Sequence, residues 1–202
     1  MNLTGVLLAA GRSRRFGSDK LLHPLSNGMP MVAVAAANLR PVCDRLIVVV
    51  RPDNETLVTV LAANGYETLV CAEADAGMGR SLAAGIHASS DADGWVVALA
   101  DMPFVQTSSH AEVATALRAG AALAATEFRG MRGHPVGFAA CWREQLISLS
   151  GDQGGRSILD AHHKVIQLCQ VDDPGVLRDI DEPADLAPES QKPSANQRRN
   201  LG

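Results

Sequence analysis

The fold of this chain is decided near its N-terminus, by the stretch Leu3-Thr4-Gly5-Val6-Leu7-Leu8-Ala9-Ala10-Gly11-Arg12-Ser13-Arg14-Arg15-Phe16-Gly17-Ser18-Asp19-Lys20-Leu21-Leu22. An apolar, β-type run opens there into a turn of small residues with four cations in nine positions. Such a turn places backbone N–H groups and positive charge together, which favours binding of a polyanion. The competing interpretation is an exposed basic turn between a strand and a helix.

Two common glycine-rich nucleotide loops do not fit the sequence. A P-loop requires Gly-Lys followed directly by Ser or Thr, whereas Gly17 is followed by Ser-Asp and only then by Lys20. A dinucleotide fingerprint requires three glycines spaced G-x-G-x-x-G, and after Gly77 and Gly79 the third position holds Leu82. Neither motif therefore explains the loop.

The composition predicts one globular domain that does not bind nucleic acid. The 202 residues are 47% hydrophobic, enough to bury a sizeable core. Aromatic residues make up only 3% and the net charge is -4, which argues against a base-stacking platform and against a basic duplex-binding face. We expect a single domain over residues 1–187 and a disordered tail over 188–202, where almost nothing is apolar.

Cysteine usage and hydropathy predict a soluble, cytoplasmic protein. The four cysteines lie too far apart for a local C-x-x-C pair, so buried free thiols in a reducing compartment are expected. No run of eighteen apolar residues occurs, and the N-terminus lacks the pattern of a secretory signal. No membrane partner is expected.

Apolar runs rich in β-branched residues alternate with helical patterns over the first 125 residues. The predicted strands cover 6–8, 46–50, 68–70, 95–99 and 121–126. The predicted helices cover about 30–40, 54–64, 79–89 and 109–119. Ser109 with Glu112 indicates a capping box for the last helix, and Gly120 its end. The alternation predicts an α/β fold, with a mostly parallel twisted sheet between two layers of helices.

The rhythm changes after Thr126. There the sequence predicts a loop over 130–135 and a short strand over 136–139. Two further helices are predicted over 142–149 and 156–163.

The order L-A-A-G-R-S-R-R-F-G-S-D-K-L-L resembles the signature loop of the molybdenum cofactor nucleotidyltransferases and of the wider sugar-nucleotide pyrophosphorylase group. Further stretches resemble the same family, in the same order along residues 3 to about 186: A-G-M-G-R-S-L-A-A-G at 76–85, A-L-A-D-M-P at 98–103, R-G-H-P at 132–135, G-D-Q-G-G-R at 151–156 and D-I-D-E-P-A-D at 179–185. The resemblance implies a Rossmann-like sheet of the nucleotide-diphospho-sugar transferase type.

Within that family the chain is similar to the cytidylyl branch, because guanylyl relatives typically carry Gly-Gly and a Gly after the Lys. Here those positions are Ala10-Gly11 and Lys20-Leu21-Leu22. The resemblance implies transfer of CMP from CTP to a molybdopterin-type molybdenum cofactor, with Mg²⁺ as cofactor, pyrophosphate as product and a client molybdoenzyme as partner. Two alternatives remain, a sugar- or alditol-phosphate nucleotidyltransferase and a non-catalytic molybdenum-cofactor-binding chaperone.

The nucleotide is expected at the carboxyl end of the first strand, where Leu8, Ala9, Ala10 and Gly11 let a ligand approach the backbone closely. Arg15 is predicted to offer a planar fork, and Lys20 a point charge, to phosphate oxygens. Ser81 follows Gly79 at a predicted helix start, which favours an anion or a ribose hydroxyl. An ordinary Ser near a helix start is the competing interpretation.

A metal site is predicted at Asp101, which ends a buried strand with a carboxylate of the kind that Mg²⁺ prefers. The alternative is an Asx turn or a helix cap before Pro103, and the resemblance favours the metal. Asp181 is a candidate second carboxylate. It is equally interpreted as a cap of a terminal helix, together with Asp179 and Asp185.

The C-terminal half is expected to cover the acceptor. His134, between Gly133 and Pro135, is a candidate contact, although loop histidines are more often structural. Asp152 and Arg156 are candidates to shape the acceptor pocket, or they form a local ion pair.

Overall fold

One mixed sheet runs through the computed structural model, which describes residues 1–13 and 16–186. The predicted tail over 188–202, like Arg14 and Arg15, lies outside these residues. The strands are β1 Leu3–Leu8, β2 Arg45–Val50, β3 Glu67–Val70, β4 Gly94–Leu99, β5 Leu123–Phe128, β6 Met131–Ala139 and β7 Ile166–Gln170. The α-helices are α1 Met31–Leu39, α2 Glu55–Ala63, α3 Met78–Ala88, α4 Thr107–Arg118, α5 Arg143–Ile147 and α6 Arg156–Ala161.

The sheet has the order β3-β2-β1-β4-β6-β5-β7. Strand β1 pairs in parallel with β2 and β4, β2 with β3, and β5 with β7. Strand β6 is antiparallel to both β4 and β5. The predicted mostly parallel α/β sheet is therefore confirmed.

Helices cover both faces of the sheet. Because consecutive strand residues point to opposite faces, each strand contributes side chains to both layers. Leu3 and Leu7 of β1 join one core cluster, with residues of α1, α2 and α4. Val6 and Leu8 join a second cluster, with residues of α3 and α6. Burying a Leu or Val side chain in either layer contributes about 1.5–3 kcal/mol, so the continuous apolar runs specify central strands.

The predicted capping box of α4 is wrong. The helix begins at Thr107, and Ser109 lies inside it, where its Oγ donates to Asp173 Oδ2 over 2.7 Å. The same carboxylate accepts from the Gln106 N–H over 2.8 Å, so a residue distant in sequence caps the helix. The predicted end at Gly120 is confirmed, since this glycine follows the helix with φ of 101°.

Three C-terminal predictions need correction. The predicted loop over 130–135 is mostly strand, because β6 starts at Met131 and its first residues pair with β5 across a tight turn at 129–130. The helix predicted over 142–149 is shorter, a 3-10 turn at Ala140–Trp142 followed by α5. Strand β7 has no counterpart in the prediction, because its sequence I-Q-L-C-Q is short and half polar.

All four cysteines are free, and Cys43, Cys71 and Cys169 are buried as predicted, whereas Cys141 is exposed and the prediction of a buried thiol is wrong there. Burial raises the pKa of the Cys43 thiol to about 12, which keeps it protonated. Among the residues described, no helix has the length and apolarity needed to cross a bilayer.

Candidate functional site

A cavity of about 470 Å³ lies at the carboxyl ends of β1 and β4, and we call it the first cavity. It is lined by Leu8, Ala10, Gly11, Arg12, Ala74, Asp75, Gly77, Met78, Ser81, Leu99, Asp101 and Asp152. Ala9 is buried behind it, because its N–H donates to the Val49 carbonyl over 2.9 Å and so extends the sheet pairing. The strand end and the start of the glycine-rich loop therefore form one wall of the cavity.

Lys20 lies behind that wall and joins two carboxylates. Its Nζ donates to Asp101 Oδ2 over 2.9 Å and to Asp181 Oδ1 over 3.0 Å. The lysine side chain is only 8% exposed. Burial acts to lower the pKa of Lys20, but the two carboxylates outweigh it and raise that pKa above its usual value. The ammonium group is therefore a fixed positive charge beside the first cavity.

Local structure sets this geometry. Lys20 opens a 3-10 turn, Lys20–Leu22, which Asp19 caps by accepting from the Leu21 N–H over 3.1 Å. The Ile180 N–H donates to the Asp101 carbonyl over 2.9 Å, which brings Asp181 beside the end of β4. A side-chain cap and a backbone hydrogen bond thus place residues from distant segments around one ammonium group.

The geometry around Asp101 and Asp181 favours some of their alternative roles over others. Within the described part of the chain, no backbone N–H donates to the Asp101 carboxylate, so no Asx turn forms there. Asp185, rather than Asp181, caps the terminal 3-10 turn Pro183–Leu186, accepting from the N–H groups of Asp181 and Glu182. Both Asp101 and Asp181 keep partly exposed side chains, at 26% and 31%.

The start of α3 is covered by the segment 150–155. Gly77, the N-cap, has φ of 112°, and a Cβ there would overlap the Gly151 carbonyl. The Gly79 N–H donates to that same carbonyl over 2.8 Å, so it is occupied by protein and does not face a ligand. Ser81, the fourth residue of α3, is almost fully buried and lines the first cavity.

A second cavity of about 440 Å³ adjoins the first and shares Leu8, Met78 and Leu99 with it. It is also lined by Leu82, Val97, Arg132, Gly133, His134, Val136, Gln153, Gly155, Arg156 and Leu159. The three residues expected at the acceptor are thus divided. His134 and Arg156 line the second cavity, whereas Asp152 lines the first.

His134 follows Gly133 on β6, where a Cβ would overlap the Val176 carbonyl. The Nδ1 atom of His134 is buried and has no hydrogen-bond partner among residues 1–13 and 16–186. Burial lowers the pKa of His134 to about 4, so the ring is neutral near pH 7. A neutral imidazole on the cavity wall is suited to contact a ligand without adding charge.

Sequence reasoning missed several lining residues. Arg12 lines the first cavity, where its exposed guanidinium pairs with the exposed carboxylate of Asp75. Arg132 stands in the quoted R-G-H-P stretch and lines the second cavity. Its position in that motif was the available signal. Arg15, predicted to hold phosphate, lies outside the described residues.

The fold and the site together define a class of protein. A parallel sheet ends in a glycine-rich loop, a fixed lysine and two carboxylates beside adjoining cavities. Solved structures share this fold. That of Rv0371c from Mycobacterium tuberculosis H37Rv superposes with a TM-score of 0.80 and 25% identity, covering 92% of this chain and 96% of that one. The fold is that of the nucleotide-diphospho-sugar transferases.

The chain belongs to the MobA-like NTP transferase domain family, whose sequence profile matches residues 5–165. It is 31% identical over 191 residues to the purine catabolism protein PucB of Bacillus subtilis, covering 90% of this chain and 92% of that relative. It is 28% identical over 187 residues to nicotine blue oxidoreductase of Paenarthrobacter nicotinovorans, covering 89% and 92%. The "Probable molybdenum cofactor guanylyltransferase" of Haloferax mediterranei matches at 35% over 105 residues, covering 51% and 49%.

Proposed function

We propose that this protein transfers CMP from CTP to a molybdopterin-type molybdenum cofactor and releases pyrophosphate. The observation that carries the proposal is the binding of Lys20 Nζ to both Asp101 and Asp181 at the end of β4, beside a cavity walled by the glycine-rich loop. Membership of the MobA-like NTP transferase domain family supports it. The name of the Haloferax relative supports molybdenum cofactor as the acceptor.

In this proposal the nucleotide occupies the first cavity and the acceptor the second. The acceptor phosphate oxygen attacks the α-phosphorus of CTP, the bond to the β-phosphate oxygen breaks, and pyrophosphate leaves. Such a transfer needs mainly in-line positioning and charge neutralisation. Leu8, Met78 and Leu99, which line both cavities, mark the boundary where the two substrates would meet.

The residues fit a magnesium ion. Asp101 and Asp181 offer carboxylate oxygens, and both lie within 3.0 Å of one ammonium group. Over residues 1–13 and 16–186 no cluster of three or more His, Cys, Asp or Glu is placed to hold a metal. That suits Mg²⁺, which often takes one or two carboxylates together with water and substrate phosphates. When bound, Mg²⁺ would neutralise charge on the phosphates.

The remaining roles fall to residues at the cavity walls. Ala10 and Gly11 would hold the nucleotide by their backbone, and Ser81 would contact it from the start of α3. Lys20 would keep the two carboxylates in place and stabilise the triphosphate, together with Arg15 of the same loop.

On the acceptor side, His134 and Arg156 would contact the acceptor. Asp152, which lines the first cavity, would face the boundary between the two cavities.

The preference for CTP rests on Ala10. Ala10 lines the first cavity, and in this proposal its methyl group narrows the cavity at a position where guanylyl relatives typically carry glycine. Leu21, the second position in the cytidylyl pattern, is 3% exposed and packs in the core away from the cavity. Ala10 is therefore the residue that would discriminate against the larger base.

We further propose that residues 1–187 act as one domain and that the protein works in the cytoplasm, which its four free thiols favour. A client molybdoenzyme would receive the product.

The test is product analysis with a panel of acceptors. The protein is incubated with Mg²⁺, CTP or GTP, and either molybdenum cofactor or a set of sugar and alditol phosphates. We expect a cytosine dinucleotide of the molybdenum cofactor, identified by mass. A nucleotide sugar as the only product would favour the sugar-phosphate alternative. Cofactor binding with no turnover of any nucleotide would favour a chaperone.

A further inference from the structure

Two arginines at the rim of the second cavity share one aspartate. Arg132 Nη2 pairs with Asp160 Oδ1, and Arg156 Nε lies 3.4 Å from Asp160 Oδ2. Each carboxylate oxygen thus takes one guanidinium. Within the described ranges, Asp160 is the only carboxylate that pairs with either arginine.

The two arginines are held differently. Arg132 lies on β6 and its side chain is largely buried, at 28% exposure. Glu127 lies opposite Arg132 on β5 and accepts a hydrogen bond from Gln170 Nε2 over 2.6 Å. Arg132 pairs with Asp160 instead. Arg156 is 78% exposed. Two guanidinium groups at one rim, one largely buried and one exposed, can bind a single oxyanion together.

The carboxylate of Asp160 forms its ion pairs at the solvent-exposed surface. Its side chain is 52% exposed, and ion pairs at that exposure contribute little to stability. Its contact with Arg156, at 3.4 Å, is long for a charge-assisted hydrogen bond. An incoming anion can therefore replace this carboxylate at low cost.

The rest of the cavity suits a molecule with an apolar body and an anionic end. Leu82, Val97, Val136 and Leu159 form an apolar lining. His134 adds no charge near pH 7, so two arginines and one aspartate leave the cavity with one net positive charge. An oxyanion that displaces Asp160 would find two unneutralised guanidinium groups.

We propose that Arg132 and Arg156 anchor an oxyanion of the acceptor, a phosphate or a carboxylate, and that Asp160 occupies this anchor until the acceptor displaces it. Asp160 is thus an internal competitor that weakens acceptor binding. The inference rests on the proposed function in treating the second cavity as the acceptor site. In this inference Arg132 strengthens acceptor binding and Asp160 weakens it.

The test titrates inorganic phosphate, and separately acetate, into nucleotide-free full-length protein at constant ionic strength. The Nε–H signals of Arg132 and Arg156 are followed by ¹⁵N NMR. Asp160→Asn should lower the apparent Kd by about three- to fivefold, because the competing exposed ion pair is gone. Arg132→Gln should abolish the response of Arg156. The matched control Glu67→Gln removes a carboxylate from Arg45 at the far edge of the sheet and should leave the titration unchanged.

The two probes distinguish the sources of the anion. A response to phosphate alone assigns the anchor to a phosphate group, and a response to acetate as well extends it to carboxylates. Equal or weaker binding in Asp160→Asn, or an unaltered titration in Arg132→Gln, would overturn the proposal. Because no nucleotide is present, such a result would leave nucleotidyl transfer itself untouched. In turnover assays, Asp160→Asn should lower the KM for the acceptor while the KM for CTP stays the same.

Discussion

Lys20 Nζ lies 2.9 Å from Asp101 Oδ2, although 81 positions separate the two residues along the chain. The same ammonium group binds Asp181, a further 80 positions on. One lysine therefore ties the loop after β1 to the end of β4 and to the C-terminal segment. This junction holds both the predicted phosphate ligand and the predicted metal ligands.

Removing the lysine should affect stability as well as activity. Lys20→Met leaves two carboxylates together without their cation, which should lower the free energy of unfolding by about 1.5–3 kcal/mol. Turnover should fall by about 100-fold or more, the usual cost of losing a preorganised charge at a transferring group. Urea denaturation and pyrophosphate release measure the two effects. Lys164→Met, at an exposed lysine, should change neither.

Asp101→Asn tests the metal assignment. The substitution keeps the shape of the side chain but removes the charge that Mg²⁺ prefers, so turnover should drop by orders of magnitude. The concentration of Mg²⁺ needed for half-maximal rate should rise. Circular dichroism checks that the fold is retained, and Asp172→Asn, at an exposed aspartate, serves as the control. Wild-type turnover at the same Mg²⁺ concentration would return Asp101 to a structural role.

His110 should make stability depend on pH. Burial lowers its pKa in the fold to about 4, against the opposing effect of Asp173 and with a contribution from His134. Between about pH 6.5 and 4 the unfolded chain therefore binds more protons than the native one, so stability is lost as the pH falls. In His110→Gln the free energy of unfolding, measured by urea denaturation, should fall by up to about 3 kcal/mol less over this pH range than in the wild-type protein. His163→Gln, at an exposed histidine, should leave the slope as in wild type, and an unchanged slope in His110→Gln would contradict the assignment.

Ala10→Gly tests the choice of base. The wild-type protein should use CTP with a higher kcat/KM than GTP, and removing the methyl group should narrow that difference by about tenfold. Leu21→Gly would be a poor partner for this test, because it empties a core position and should cost about 2–5 kcal/mol. A GTP preference in the wild-type protein would place the chain with the guanylyl enzymes and leave nucleotidyl transfer intact.

The fold was predictable where sequence pattern and burial coincide. Leu3–Leu8, apart from Thr4, and Gly94–Leu99 are apolar, as expected of strands with both faces covered by helices. Strand β7 escaped prediction, because an edge strand with exposed glutamines has little hydrophobic pattern. The cap of α4 escaped for another reason. Asp173 reaches it from 67 positions away, and local motifs carry no such information.

Sequence motifs predicted several residues of the candidate site, but they did not predict which side chains contact one another there. Small residues and a carboxylate at strand ends identified Ala10, Gly11 and Asp101, all of which line the first cavity. Which side chains meet depends on the tertiary fold. Nothing local indicates that Asp75 reaches Arg12 or that Asp160 lies between two arginines.

The most direct test of nucleotidyl transfer follows the α-phosphate itself. The protein is supplied with Mg²⁺, molybdenum cofactor and CTP labelled with ³²P at the α-position, and the products are separated. The account predicts that the label moves to the cofactor, that unlabelled pyrophosphate appears in equal amount, and that Asp101→Asn abolishes both. The assay is repeated with each of the other nucleoside triphosphates labelled at the α-position, and with sugar phosphates as acceptors. If the label stays in the nucleoside triphosphate or monophosphate in every case, nucleotidyl transfer by this protein is contradicted.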